Sequence, residues 1–134
     1  MKKQLQGHFT DLEMIKLEMN PEIDRWLDKM DFINTEINFL RTLLFRNFIL
    51  KINKDVAESK DLLSLLDELQ ERNNLQLKRL RDFRNKLVGL RECDDVQCEN
   101  LYLGEYLIIK EGIYEHFEEL QQIKALLYDY FGNG

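Results

Sequence analysis

Three long apolar seams with alternating three- and four-residue spacing run through this chain, and that period belongs to helices packed side by side. The first seam takes Ile23, Trp26, Met30, Ile33, Ile37, Leu40 and Leu44. The second takes Leu62, Leu66, Leu69, Asn73, Gln76, Leu80, Phe83, Leu87 and Leu90. The third takes Tyr102, Tyr106, Ile109, Ile113, His116, Leu120, Ile123, Leu127 and Tyr130. A single proline, Pro21, in 134 residues leaves long helices uninterrupted elsewhere.

The breaks between seams carry helix punctuation. Asn20-Pro21-Glu22 has a capping side chain, a proline suited to a first turn and an acid that complements the helix dipole, so it predicts a helix start. Asp55 and Glu58 have capping-box spacing, and Asp94 with Gln97 marks the next start after Glu92-Cys93-Asp94-Asp95. The expected helices are 21–50, 56–91 and 96–131, about 45 to 54 Å long. Their short connections force neighbours antiparallel. The fold class is therefore all-α: a coiled-coil-like, up-down-up three-helix bundle in one domain, 1–134. Residues 1–19, with Leu5, Phe9, Leu12, Ile15 and Met19, are expected to form a short N-terminal helical arm that packs over the far ends of helices 2 and 3. The helix pattern broadly resembles small bacterial coiled-coil or spectrin-like bundles, a likeness that brings no functional residue with it.

Charge is segregated rather than merely acidic. The net charge is −6, yet residues 72–91 hold seven basic residues against the one acid Asp82. Residues 11–36 and 92–119 are strongly acidic. In an up-down-up bundle the basic half of helix 2 lies between acidic halves of helices 1 and 3, so the charges select alignment. The same acids would repel phosphate, and no nucleic-acid partner is expected.

Two of the seams are polar at mid-length. Reflecting Asn73 through the two turns lands near residues 33 and 115. A buried polar layer of His116, Asn73, Gln76, Glu36 and Asn34 is expected there, acting as a register device. The alternative is a pocket that binds a small ligand or senses pH through His116. Helical di-iron sites need paired Glu-x-x-His motifs; Ile113, not Glu, stands three residues before His116. No metal, cofactor or catalytic residue is assigned, and the chain is expected not to be an enzyme.

Cys93 and Cys98 form a C-x4-C pair without a second ligand cluster, a weak candidate redox pair among acids that disfavour a reactive thiolate. The chain shows neither a secretory h-region nor an 18-residue apolar run, so a cytoplasmic protein with reduced thiols is the default. Apolar residues also exceed what one seam per helix can bury. Phe32, Phe39, Phe45 and Phe48 on helix 1, and Leu103, Leu107 and Tyr114 on helix 3, form a candidate interface. The reading that follows is a non-enzymatic protein of self-association or protein–protein interaction, an adaptor, with a homodimer or another helical protein as partner. A membrane-surface role for the Phe39–Leu50 stretch is disfavoured.

Overall fold

The computed structural model describes residues 11–50 and 56–132. They form helix α1 (Asp11–Leu50), helix α2 (Val56–Lys86), a 3-10 extension (Leu87–Glu92) and helix α3 (Val96–Gly132). No strand occurs among the described residues, and the helices pack as a three-helix bundle. Residues 1–10, which carry most of the expected arm, and Asp55 of the expected capping box lie outside the described residues.

The expected helix start at Pro21 is corrected: α1 passes through it, and Asp11–Leu50 is one helix. A proline inside a helix removes one N–H and crowds the carbonyl four residues earlier. Here that carbonyl belongs to Leu17, whose side chain is 75% exposed, and Pro21 is exposed as well. The disrupted rung therefore faces water, while Met19 and Ile23 on the opposite face are buried and hold the helix to the core. Residues 11–19 are thus not a separate arm. Their extra turns nevertheless lie over the far end of the bundle, where Lys16 pairs with Glu99 and Met19 packs with Phe83, Leu87 and Tyr106.

The other two ends follow their residues closely. α2 tightens into 3-10 geometry at Leu87, and Tyr102 then lies so close over Gly89 that a β-carbon there would collide with its hydroxyl. α3 is capped by Asp95 rather than Asp94: its carboxylate accepts from the Cys98 amide at 2.8 Å. Gly104 and Gly112 lie within an unbroken α3, and neither marks a close approach by another helix of the chain.

Burial follows the seams with one shift. All seven predicted α1 positions are buried, joined by Met19 and Leu27. In α2 the residue turned inward is Leu77 and not Gln76. The core divides into two apolar halves. One is built around Met19, Trp26, Phe83, Tyr106 and Ile113, with Tyr106 stacked between Trp26 (5.9 Å) and Phe83 (6.4 Å). The other runs from Ile33, Leu69 and Leu120 to Leu44, Leu62 and Tyr130, where Ser59 and Tyr130 share a hydroxyl–hydroxyl bond.

Between helices, the segregated charges meet. On one side of α2, Arg84 pairs with Asp24 (3.0 Å) and Arg81 with Asp31 (3.7 Å) of α1. On the other, Arg72 pairs with Glu119 (2.5 Å) and Lys86 with Glu105 (3.1 Å) of α3. Lys110 to Glu22 and Lys124 to Glu36 close the α1–α3 seam. The exposed pairs among these, such as Arg84–Asp24 and Arg81–Asp31, contribute about 0.2–1 kcal/mol each, so they choose the alignment more than they stabilise it.

Pro21→Ala restores a helix rung without disturbing the core. It is expected to raise stability by about 1–3 kcal/mol in urea melts, because the interior-proline penalty disappears.

Candidate functional site

At mid-bundle the two apolar halves are separated by a layer built on Asn73, which is wholly buried. Its amide nitrogen donates to the Met30 carbonyl of α1 at 2.9 Å and to Asn34 Oδ1 at 3.0 Å. Those two acceptors fix which way the amide points, since the flipped amide would set oxygen against oxygen. Asn73 Oδ1 then faces His116 Nε2 at 2.8 Å. The imidazole must be the donor in that bond, so its neutral form carries the proton on Nε2 and a lone pair on Nδ1. Asn34 in turn donates through Nδ2 to Asn74 Oδ1 at 3.1 Å. A directional chain of hydrogen bonds thus runs from α3 through α2 and α1 to the α2 surface.

Burial, the largest influence, lowers the pKa of His116 from its ordinary value; Arg72 acts in the same sense and Glu119 opposes both. His116 also lines a cleft between α2 and α3, of about 290 Å³, together with Arg72, Gln76, Arg79 and Gly112.

Of the five residues expected in this layer, the structure brings Asn73, His116 and Asn34 into one hydrogen-bonded set. Gln76 is placed differently. It lines the cleft, with its Oε1 buried and without a hydrogen-bond partner among the described residues. Glu36 stays out of the layer and pairs with Lys124 at 3.1 Å. Residues 34 and 36 are some 200° apart on a helix, so only one can face Asn73. An amide is the less costly group to bury than a carboxylate. Met30 enters the sequence pattern only through its apolar side chain, yet its main-chain carbonyl orients the whole layer; backbone groups leave no residue-type signal.

The candidate interface residues divide between faces. Phe32 and Phe39, 59% and 61% exposed, share a helix face next to Lys29 and Glu36, which contact Phe117 and Lys124 of α3. Leu107, Tyr114 and Tyr128 are exposed on the neighbouring face of α3, beside Lys110, Phe117 and Lys124. Tyr114 packs edge-on against Trp26 and reaches Glu22 at 3.4 Å. These side chains flank one α1–α3 seam. Phe45 is exposed too, but it shares the position of Asp24 and Asp31, which point toward α2. Leu103 is not a surface residue: it packs partly buried on the core. The side chain of Phe48 lies outside the described residues.

Cys93 and Cys98 are joined by a disulfide across the turn before α3, in place of the two reduced thiols expected. The turn itself supplies the reason. Asp95 caps α3 on the Cys98 amide and leaves the two α-carbons 5.5 Å apart, within the range a disulfide spans.

Among the described residues no group of three or more His, Cys, Asp and Glu side chains is placed to hold a metal ion, and no helix is long and apolar enough to cross a membrane.

Two outcomes test the layer. His116→Leu or Asn73→Leu alone strands a buried polar partner and is expected to cost about 1–3 kcal/mol in chemical denaturation, whereas the double substitution costs less than the sum. The folded protein holds His116 below its unfolded pKa, so the neutral imidazole is the stabilised form. Stability is fully present above about pH 6.5 and falls as pH drops from there through the folded pKa. Denaturation between pH 7.5 and 5.5 should show that slope, and His116→Gln should flatten it.

With this geometry as the point of comparison, the chain matches no protein-family model, no curated protein and no solved structure.

Proposed function

We propose that this protein is a non-enzymatic helical interaction module that associates with a second copy of itself through the α1–α3 face. The observation that carries this reading is the row of exposed aromatic and aliphatic side chains flanking that seam: Phe32, Phe39, Leu107, Tyr114 and Tyr128. Tyr114 also rests its edge on Trp26, whereas Phe32, Phe39, Leu107 and Tyr128 lie outside both apolar clusters of the core.

Charge on the same face supports a two-fold partner. Glu18, Arg25, Phe32, Phe39 and Arg46 recur every seven residues and so share one position of α1. Glu18 and Arg46 stand equally far from Phe32 on either side. A second copy laid antiparallel about Phe32 sets Glu18 of each copy against Arg46 of the other, and Phe39 against Arg25. Its two phenylalanines at position 32 then meet on the axis. Such a surface is self-complementary, as a two-fold contact requires.

A cytoplasmic location belongs to the same reading, and the Cys93–Cys98 disulfide is the observation that weighs against it, because reducing compartments keep such pairs open. Mass spectrometry after alkylation of the freshly lysed source decides that point.

Sedimentation across a hundredfold range of concentration tests the association. The intact chain is expected to dimerise, and Phe32→Ser with Phe39→Ser to remain monomeric at an unchanged melting temperature, since both side chains are exposed. A chain that stays monomeric throughout, or a double variant that dimerises equally well, overturns the proposal.

A further inference from the structure

Two α2–α3 ion pairs stand two heptads apart, and the heptad position midway between them has no pair among the described residues. Arg72 meets Glu119 at 2.5 Å, and Lys86 meets Glu105 at 3.1 Å. Halfway between, seven residues from each, α2 presents Arg79 and α3 presents Gly112. A β-carbon built on Gly112 would sit 3.7 Å from Arg79 Nη1, so the two positions do face each other. No carboxylate stands there, and Arg79 has no ion-pair partner among the described residues.

Packing within the chain does not call for the glycine. Its β-carbon would make only ordinary contacts, 3.7 Å to Arg79 and 3.8 Å to Gln76 Nε2, and a mid-helix Gly costs about 1 kcal/mol relative to Ala. What the glycine leaves is the cleft beside His116, about 290 Å³ in volume. Two residues that line it each carry a polar atom buried from solvent and without a hydrogen-bond partner among the described residues, Arg72 Nε and Gln76 Oε1. The walls are of opposite charge, with Arg72 and Arg79 on α2 facing Glu115 and Glu119 on α3. Arg72 and Glu119 neutralise each other, whereas Arg79 and Glu115 line the same cleft without meeting.

We infer that this cleft is a binding site for a small α-amino carboxylate, whose carboxylate supplies the missing rung. Arg79 donates to that carboxylate over the bare backbone of Gly112. The ammonium group pairs with Glu115 on the opposite wall. A simple anion meets the two glutamates and is repelled; a simple cation meets the two arginines. The α-amino acid carries both charges on adjacent carbons and satisfies both walls, and Leu75 at the rim offers contact to an apolar side chain. The inference is independent of self-association, because the cleft opens between α2 and α3 and the proposed contact lies along α1 and α3.

Backbone amide NMR titration tests the site, with L-leucine as the probe and two single-charge analogues as controls. 4-Methylpentanoate lacks the amine and isopentylamine lacks the carboxylate. L-leucine is expected to shift the Gly112 amide saturably, with at least tenfold weaker effects from either analogue. Arg79→Gln, at an exposed side chain without an ion pair, is expected to weaken L-leucine binding at least tenfold at an unchanged melting temperature. Gly112→Ala, which fills the cleft floor, is expected to abolish binding while leaving the chain folded. The proposal falls if L-leucine gives no saturable shift, if an analogue binds as well as L-leucine, or if binding survives Arg79→Gln undiminished.

Discussion

A primary amide buried to the last square ångström has to find its partners, and in this bundle that need sets the relation of all three helices. Asn73 finds them on both neighbours: the Met30 carbonyl and Asn34 on α1, and His116 on α3. Sliding any helix by one turn, about 5.4 Å, would strand at least one of these groups in the core. The apolar seams would tolerate such a slide far better, since one leucine layer resembles the next. The layer gives up some hydrophobic contact and in return makes a single register much the best.

The surface charges act in the same direction with less energy per contact. α2 carries bases on both flanks, and α1 and α3 present acids level with them. Reversing or shifting a helix would bring like charges together, so the pairs penalise alternatives even where each stabilises the native form only slightly. The two α2–α3 pairs are also what make the gap between them meaningful. Gly112 opposite Arg79 is visible as an omission only because the rungs on either side are complete.

Much of this was legible before any coordinates. Period alone locates the buried residues of α3 and all of those in α1 except Met19 and Leu27, and simple reflection through two turns brings Asn73, His116 and Asn34 to one level. The misreadings have specific causes. Pro21 reads as a helix start because proline breaks isolated helices, yet Met19 and Ile23 anchor the chain on both sides of it and its own face is wet. Gln76 and Leu77 both fit the second seam within one residue, and burial chooses the leucine. The seven-residue recurrence places Phe45 with Asp24 and Asp31, but which neighbour that face meets depends on how the three helices are arranged around their axis.

The sequence by itself therefore determined the class of fold, the helix pairings and the height of the polar layer, because these rest on spacing along one helix and on short connections between helices. Tertiary structure alone decided which side chains at that height meet, which apolar residues stay outside, and where the α2–α3 ladder leaves a cleft. Those outcomes depend on how far each helix is rotated about its own axis. That rotation is a compromise among all the contacts of the core, and no single helix carries it in its own residues.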